Sequence, residues 1–230
     1  MKRGRMKSLA LAAALMATPT AACETALVLA IDISGSVDPE EYRLQMGGLA
    51  AALRDGAVID ALVAAQARVA VLQWSGSSRQ RVVVPWTATL SDADVDRLAT
   101  AVTEAPRAFR HYSTAIGEAL RTAAELLGEI AGTCSRQVVD VSGDGFNNEG
   151  VAETRMRDAL VRGGVVVNGL AIETSEPELT DYYRRNVIGG PGSFVMTAKT
   201  FEDYPEAIRR KLLRELTDKV VEAPRARSYE

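Results

Sequence analysis

The stretch ALVLAIDISGS, residues 26–36, carries the two signals that decide the predicted fold. Its first part, residues 26–33, is an apolar run typical of a strand that is covered on both faces of a sheet. In the loop that follows, Asp32, Ser34 and Ser36 alternate, and the glycine between the two serines permits a tight turn. Asp and Ser also form ordinary turns through local backbone bonds, so the loop alone is compatible with a plain turn or with a cation site.

A helix start follows this loop directly. Asp38 is suited to the N-cap, Pro39 to the first helical position, and Glu41 to the reciprocal position of a capping box. Apolar residues then recur at helical spacing at Tyr42, Met46, Leu49 and Leu53. The segment therefore predicts a strand, a loop and a helix in immediate succession, as in α/β folds.

Strand and helix patterns alternate along the rest of the chain. Further strands are predicted at 67–74, 81–84, 137–141, 165–172 and 193–197. Further helices are predicted at 92–102, 113–130, 151–161, 178–186 and 201–220. The strands at 67–74 and 81–84 are too close for a crossover helix, so they should pair antiparallel. The predicted fold class is α/β: a doubly wound, mostly parallel six-stranded sheet with one antiparallel edge strand and helices on both faces.

Residues 1–22 have the features of a cleaved secretory signal peptide. Four basic residues precede an apolar run of about 10 residues, roughly half of the ~20 that span a bilayer, and small residues follow. A retained membrane anchor is the alternative interpretation, and no transmembrane segment is expected in the mature chain. We expect one domain at 23–222, a disordered tail at 223–230, and a location in the periplasm or outside the cell.

The charge of the mature chain argues against binding to nucleic acid. Without the four basic residues of 1–22, 23 Lys and Arg stand against 30 Asp and Glu, a formal charge of −7. Domains that bind nucleic acid usually carry a basic patch instead. A mature chain of about 208 residues is also long enough to bury one α/β core.

Two cysteines remain after the signal peptide, Cys23 and Cys134. Each lies just before an apolar strand. If those strands are parallel neighbours, both thiols lie at the same end of the sheet, and export permits a disulfide between them. Two alternatives stay open. Cys23 could carry a lipid, although the Leu usual three positions before a lipidated cysteine is missing, or both thiols could be free.

Two further loops offer oxygen atoms at the predicted carboxyl edge of the sheet, where ligands bind in doubly wound folds. Thr114 lies in a loop that opens a helix, and Asp144 follows the strand at 137–141. Each loop also has a plainer interpretation, as a helix cap by Ser113 or Thr114 and as a turn stabilised by Asp144. Two carboxylates and three hydroxyls together would suit Mg²⁺, Mn²⁺ or Ca²⁺ better than zinc.

With these three loops, the sequence resembles a von Willebrand factor A domain with a metal-ion-dependent adhesion site. The family pattern is Asp-x-Ser-x-Ser, then a Thr, then an Asp before Gly, and Asp32, Ser34, Ser36, Thr114 and Asp144 match it in order. The resemblance covers the whole mature chain. It implies direct metal coordination by the two serines and often the threonine, with both aspartates acting largely through water. The phrases VDVSGDGFNN and NGLAI also resemble an exported bacterial subfamily of A-domain proteins with no assigned function.

Two departures from the family pattern affect the expected ligands. Ser142 and Gly143 precede Asp144, where many relatives have Thr directly before the Asp. The second loop lacks the Gly-Gly that often precedes the Thr, so Ser113 could take the place of Thr114. The resemblance therefore leaves the second-loop ligand open.

Some conspicuous neighbours of these loops are expected to have plainer roles. The only histidine, His111, could act beside the metal, and Arg107 and Arg110 could supply charge near the site, but solvated loop positions are expected for all three. Asp140 lies within a predicted strand, so a supporting or backbone-bonded role is expected there rather than direct metal coordination.

The resemblance implies how such a site is used. Hydroxyl ligands leave most of the charge of a cation uncompensated, and an open coordination position would attract an anionic oxygen. In the A-domain family this oxygen commonly belongs to a Glu or Asp of a partner protein. We therefore expect a non-enzymatic, metal-dependent protein- or peptide-binding module of the cell envelope, with Mg²⁺ as the first choice of metal.

Two other functions compete with this one. A metal-dependent hydrolase is disfavoured because the sequence has no P-loop and no dinucleotide-binding fingerprint. A single histidine and two cysteines also leave few candidates for a nucleophile or a base. A structural subunit, in which the metal only stabilises the loops, is the remaining alternative.

Overall fold

The computed structural model describes residues 23–110 and 112–217. The predicted signal peptide, the predicted tail at 223–230 and His111 lie outside these residues, as does the end of the helix predicted at 201–220. Within the described ranges, no helix is both long enough and apolar enough to cross a membrane.

Six strands form one sheet. They are β1 Cys23–Asp32, β2 Arg68–Trp74, β3 Gln80–Ala88, β4 Cys134–Gly143, β5 Val166–Ile172 and β6 Val195–Ala198. Their order is β3-β2-β1-β4-β5-β6, and only β2 and β3 pair antiparallel. The predicted mostly parallel sheet with one antiparallel edge strand is therefore confirmed.

Helices cover both faces of the sheet, as predicted. They are α1 Pro39–Leu53, α2 Gly56–Ala64, α3 Asp92–Glu104, α4 Ile116–Glu129, α5 Glu153–Arg162, α6 Leu179–Tyr182 and α7 Tyr204–Thr217. A π-helical turn follows α6, and a 3-10 turn precedes α7. One layer contains α1, α2, α3 and α7, and the other contains α4, α5 and α6.

The central strand β1 is buried on both sides. No residue from Ala26 to Ile31 is more than 2% exposed. Leu27, Leu29 and Ile31 pack in the layer of α1 and α7, whereas the residues between them pack in the layer of α4 and α5. Burial of each large aliphatic side chain contributes about 1.5–3 kcal/mol, so this strand anchors both halves of the core.

The strand order places a reversal of winding between β1 and β4. From β1 the chain continues to β2 on one side, and after β3 it crosses back to β4 on the other side of β1. The connections that leave β1 and β4 therefore diverge at the carboxyl edge, where doubly wound sheets bind ligands.

The predicted capping box at the start of α1 is confirmed. Asp38 Oδ1 accepts hydrogen bonds from the backbone N–H groups of Glu40 (2.6 Å) and Glu41 (2.8 Å). The carboxylate of Glu41 in turn accepts from the N–H of Asp38 at 2.6 Å. These bonds satisfy helix-end donors and fix where the loop after β1 ends.

Most helix ends differ from the sequence prediction by one to four residues, and two differences have a structural cause. The short helix α2, capped by the Asp55 side chain, was not predicted. In addition, α4 begins at Ile116 without a side-chain cap, so the alternative interpretation of Ser113 or Thr114 as its cap is wrong. Residues 112–115 remain non-helical because neighbouring loops take their backbone groups; the N–H of Ala115 donates to the carbonyl of Ser75 at 3.0 Å.

The predicted disulfide between Cys23 and Cys134 is present, with a Cα–Cα distance of 4.5 Å. The two residues are paired in register between β1 and β4, at the amino edge of the sheet. The bond closes a sequence separation of 111 residues. A closure of this length stabilises the folded state by about 4–5 kcal/mol in the chain-entropy description. The disulfide therefore fixes the two site-bearing strands at the edge opposite the candidate site.

Candidate metal site

Three loops meet at the carboxyl ends of β1 and β4: the loop after β1, the segment before α4 and the loop after β4. The Ser36 hydroxyl donates to Asp144 Oδ1 at 2.8 Å. The hydroxyls of Ser34 and Ser36 lie 3.2 Å apart, and the Thr114 hydroxyl donates to Ser34 Oγ at 3.4 Å. Side chains separated by about a hundred residues in sequence therefore form one continuous oxygen cluster.

The cluster is closed towards the core and open towards solvent. Asp32 and Ser34 are fully buried, and Thr114 and Asp144 are 6% and 7% exposed. Ser36, in contrast, is exposed. A ligand from solvent would therefore approach from the side of Ser36.

Asp32 has one satisfied and one unsatisfied oxygen. Its Oδ1 accepts the backbone N–H of Ser34 at 2.7 Å, which fixes the side chain against the turn. Its Oδ2 is buried and has no hydrogen-bond partner among the described residues. Buried polar atoms normally have partners, so an unpaired carboxylate oxygen indicates a missing donor, water or ion.

The pKa values of both carboxylates are raised in the folded protein. Burial, and then the negative charge of Asp144, raise the pKa of Asp32 well above its ordinary value. Burial likewise raises the pKa of Asp144, while the hydrogen bond from Ser36 opposes the rise. Without a cation between them, the ionised forms of both side chains are therefore disfavoured. A bound cation would favour these ionised forms.

The donor set fits a hard divalent cation. Three hydroxyl oxygens and two carboxylates face one region, and such oxygen ligands suit Mg²⁺, Mn²⁺ or Ca²⁺. The described residues contain no group of three or more His, Cys, Asp or Glu side chains placed to hold a metal. The fit therefore depends on the hydroxyls of Ser34, Ser36 and Thr114 as well as on the two aspartates.

Thr114, and not Ser113, joins the cluster. Ser113 is exposed, and its carbonyl accepts the hydroxyl of Ser75 at 3.2 Å. Thr114 is held from both sides by Asn148, whose side-chain oxygen accepts the Thr114 N–H at 2.9 Å and whose own N–H donates to the Thr114 carbonyl at 2.9 Å. Asn147 binds the first turn of α4 through the N–H of Gly117 at 3.2 Å. The loop after β4 therefore positions the threonine.

Arg107 binds the backbone of the loop after β1. The solvated position expected for this residue is therefore wrong. Its guanidinium donates to the carbonyls of Ile33, Ser34 and Val37 at 3.0, 2.9 and 2.6 Å. These carbonyls belong to a turn that the sheet does not pair. The sequence held no signal for this role, because the arginine is about 70 residues away from its partners. Arg110, in contrast, is exposed as expected.

Gly143 explains one departure from the family pattern. A Cβ atom at this position would lie 2.8 Å from Asp32 Oδ2 and 2.8 Å from the Tyr183 hydroxyl oxygen. Tyr183 is fully buried, and its hydroxyl has no hydrogen-bond partner within residues 23–110 and 112–217. Tyr183 therefore occupies space that a larger residue before Asp144 would need, and it lies beside the unpaired oxygen of Asp32.

Asp140 lies outside the oxygen cluster. Its carboxylate forms a buried ion pair with Lys211 of α7 at 2.6 Å. The expectation that it is not a metal ligand agrees with this placement. The expected supporting or backbone-bonded role is wrong, because the residue instead fixes α7 to the sheet.

The chain was also compared with known proteins. The family described as "Protein of unknown function (DUF1194)" matches residues 22–220. No curated protein sequence matches the chain.

Solved structures of von Willebrand factor A domains share its fold. A von Willebrand factor type A protein from Catenulispora acidiphila has a TM-score of 0.60 at 19% identity, covering 85% of this chain and 43% of its own. Proximal thread matrix protein 1 from the mussel byssus, with a zinc-occupied metal-ion-dependent adhesion motif, has a TM-score of 0.60 at 18% identity, covering 85% and 46%. The von Willebrand factor domain of the type V pilus tip protein Mfa5 from Porphyromonas gingivalis has a TM-score of 0.59 at 8% identity, covering 86% and 98%.

These likenesses show the fold. The sheet order and the two helical layers are those of a von Willebrand factor A domain, as the sequence resemblance predicted. The chain spans less than half the length of the first two solved proteins, so their whole-protein roles do not carry over to it.

Proposed function

The chain belongs to the DUF1194 family of proteins of unknown function, and on this premise we propose that it is a metal-dependent protein- or peptide-binding module of the cell envelope. A divalent cation held at the three-loop cluster would bind an acidic side chain of the partner. The protein would not act as an enzyme.

One observation carries this proposal: side-chain oxygens of Ser34, Ser36, Thr114 and Asp144 from three loops form one cluster, beside Asp32, one of whose carboxylate oxygens is buried and unpaired. As the family resemblance implies, Ser34, Ser36 and Thr114 would coordinate the cation directly; their hydroxyls follow one another at spacings of 3.2 and 3.4 Å. Asp32 and Asp144 would act largely through water, as the family resemblance implies. A cation placed there would offset the burial and the repulsion from Asp144 that raise the pKa of Asp32.

The ligand set also explains why the bound cation would attract a carboxylate. Hydroxyl ligands are neutral and leave the cation with positive charge, and Mg²⁺ commonly completes its six positions with waters or a ligand oxygen. Ser36 is the exposed member of the cluster, so this side is open to an incoming ligand. Mg²⁺ is the first choice, with Mn²⁺ or Ca²⁺ as alternatives, because the donors are hard oxygens.

The location and the domain bounds belong to the same proposal. We propose that residues 1–22 are removed on export and that one domain at 23–222 acts in the periplasm or outside the cell. The disulfide between Cys23 and Cys134 supports this, because disulfides persist in oxidising compartments. With its sulfur in that bond, Cys23 would not carry a lipid.

Calorimetric titration of Mg²⁺ and Mn²⁺ into the mature protein tests the site. We expect Ser34→Ala to weaken metal binding by about tenfold or more, because a ligand is lost. Ser135→Ala is the matched control, since Ser135 is exposed at the opposite edge of the sheet. Equal metal affinity in all three proteins would refute the site.

Capture of partners from periplasmic extract tests the binding function. The wild type and Ser34→Ala are immobilised and washed in Mg²⁺ or in EDTA, and the retained proteins are identified by mass spectrometry. A partner that is retained only by the wild type in Mg²⁺ supports the proposal. If the same proteins are retained in Mg²⁺ and in EDTA, and by the wild type and Ser34→Ala, the result would favour the structural alternative, in which the metal only stabilises loops.

A further inference from the structure

Three arginine–aromatic pairs lie beside the candidate metal site, on the side of β2 and β3. The guanidinium carbons lie 4.6 to 5.7 Å from the ring centres, in the pairs Arg79–Tyr112, Arg81–Phe109 and Arg107–Tyr42. These three pairs and Arg110 form a surface of four arginines and three aromatic residues, which we call the arginine rim. A ring contact restricts a guanidinium and leaves those N–H groups that are not otherwise bonded available for ligands. In Arg107 these are the N–H groups of Nη1, because Nε and Nη2 donate to backbone carbonyls.

The arginine rim is connected to the first metal-site loop by hydrogen bonds. The N–H of Gly35 donates to the carbonyl of Tyr112 at 2.8 Å, and Arg107 donates to the carbonyl of Ser34 at 2.9 Å. The Tyr112 side chain is 44% exposed, which is unusual for a large ring among the described residues. The arginine rim therefore lies directly beside the loop that bears Ser34 and Ser36 and is open to solvent there.

A cavity opens within the arginine rim. Its volume is about 300 Å³, and it is lined by Pro39, Tyr42, Arg107 and Arg110. The side chains of Arg107 and Arg110 both line this cavity. Two like charges therefore face the same space, which favours an anionic group between them.

The charge of the arginine rim contrasts with that of the rest of the protein. None of its four arginines forms an ion pair with a carboxylate of residues 23–110 or 112–217. Arginines elsewhere do pair with acidic neighbours, as Arg121 does with Glu118 and Arg209 with Glu206. A mature chain with seven more acidic than basic residues thus carries a basic surface without such ion pairs next to its candidate ligand site.

We propose that the arginine rim is a second recognition surface for the same partner, and that it selects a protein segment with further Asp or Glu residues beside the one bound at the metal. This inference rests on the proposed function. The stacked guanidinium edges would bind carboxylates, in the paired N–H to oxygen geometry that arginine prefers. The cavity between Arg107 and Arg110 would take one acidic side chain.

Fluorescence anisotropy with synthetic peptides tests the arginine rim without knowledge of the natural partner. Three labelled Gly/Ser peptides of equal length contain one Glu, three Glu, or three Gln. Binding is measured in Mg²⁺ and in EDTA for the wild type, Arg81→Glu and Arg110→Glu. Arg162→Glu is the control, because it makes the same charge change at the exposed end of α5, at the other edge of the sheet.

We expect the three-Glu peptide to bind more tightly than the one-Glu peptide. Arg81→Glu or Arg110→Glu should each weaken the three-Glu peptide by about fivefold, the factor that corresponds to an exposed ion pair at the upper end of its range. The one-Glu peptide should change by less than about twofold, and Arg162→Glu should leave both peptides unchanged. Arg107 is left intact, because it supports the metal-site loop.

The outcomes separate the arginine rim from the metal site. Mg²⁺-dependent binding that is insensitive to both rim variants would overturn the rim and leave the proposed function standing. If the rim variants bind the three-Glu peptide more weakly than the wild type does, and the loss is the same in Mg²⁺ and in EDTA, the result would support the rim and count against the metal site. If the three-Glu peptide binds no more tightly than the one-Glu or the Gln peptide, the rim is overturned, and the metal titration judges the proposed function independently.

Discussion

Two buried pairs of carboxylates lie along or beside β4, and only one of them has its own cation. The pair of Asp140 and Glu215 lies beneath α7. Lys211 Nζ lies 2.6 Å from an oxygen of each, and all three residues are 2% exposed or less. Asn168 completes the cluster by donating to Glu215 Oε1 at 2.9 Å.

The pair of Asp32 and Asp144 lies at the carboxyl edge of the same sheet. No lysine or arginine of the described residues forms an ion pair with either carboxylate. The neighbours are instead the hydroxyls of Ser34, Ser36 and Thr114, and Asp32 Oδ2 has no partner within the described part of the chain.

The two pairs therefore differ in the source of their positive charge: a lysine of the protein in one pair, and an exchangeable cation from solution in the other. A lysine on α7 is covalently fixed, so its positive charge is always present and holds the helix on the sheet. Hydroxyls supply oxygen ligands and no positive charge, and Arg107 lowers the pKa of Asp144 without forming an ion pair with it. The remaining neutralisation must therefore come from solution and can be shared with a partner. Removal of the lysine should therefore damage the fold, whereas removal of the ion should mainly affect binding.

Replacement of Lys211 should produce the largest effect. Lys211→Met leaves two buried carboxylates without a cation, and breaking a buried ion pair in this way costs about 3–5 kcal/mol. Urea unfolding measures the free energy of unfolding. Arg210→Met, an exposed change on the same helix, should cost less than about 1 kcal/mol.

Lys211→Met could be too unstable to purify. The triple variant Asp140→Asn, Lys211→Met, Glu215→Gln removes all three charges together and should fold, because replacing a whole buried ion cluster is often nearly neutral. A Lys211→Met protein as stable as the Arg210→Met control would contradict the structural role of the lysine.

Addition of metal should produce the next largest effect. At a hundred times the dissociation constant, Mg²⁺ should raise the free energy of unfolding of the wild type by about 2.7 kcal/mol, because it binds only the folded state. Asp32→Asn should lose most of this increase, and Asp140→Asn should retain it. The measurement is urea unfolding with Mg²⁺ or EDTA. Equal Mg²⁺ effects in the two variants would show that the pairs do not differ as the structure indicates.

The pH dependence of stability sharpens the same contrast. Burial, and then the charge of Glu215, raise the pKa of Asp140 to about 7, although Lys211 opposes the rise. The folded protein therefore holds a proton that the unfolded chain releases near pH 4. The stabilisation is complete below pH 4 and is lost as the pH rises through about 7.

Unfolding in saturating Mg²⁺ isolates this contribution, because the other pair is then neutralised by metal. We expect the free energy of unfolding to fall by roughly 2 kcal/mol between pH 5 and pH 7 in the wild type. Asp140→Asn should show a flatter profile over this range. Burial, and then the charge of Asp140, also raise the pKa of Tyr204 of α7, but this pKa lies well above the range.

Much of the candidate site was predictable because its information is local. The order of Asp32, Ser34, Ser36, Thr114 and Asp144 could be read from short motifs, and strand periodicity placed all three loops at one edge. The capping box of α1 is local in the same way. The short helix α2 was missed because its apolar residues follow α1 almost without a break.

The remaining features depend on contacts between distant segments. Lys211 meets Asp140 only because α7 packs across β4, and a lysine in an otherwise amphipathic helix carries no sign of its partner. Arg107 reaches the carbonyls of the first loop through the path of the chain after α3. Neither contact has a sequence spacing that periodicity or a motif could reveal.

Tyr183 provides the smallest and most specific test of the metal-bearing pair. Its hydroxyl and Asp32 Oδ2 both lie 2.8 Å from the Cβ position of Gly143, and both lack partners among the described residues. Tyr183→Phe keeps the packed ring, so the free energy of unfolding in EDTA should change by less than about 1 kcal/mol. If the hydroxyl orients Asp32 or the water between them, Mg²⁺ affinity should nevertheless fall by about tenfold, as for other groups that position metal ligands. Tyr204→Phe, a buried tyrosine beside the lysine-bearing pair, is the matched control and should leave Mg²⁺ affinity unchanged. An equal loss of affinity in both variants would mean that general loosening of the core, and not the position of the Tyr183 hydroxyl, affects metal binding.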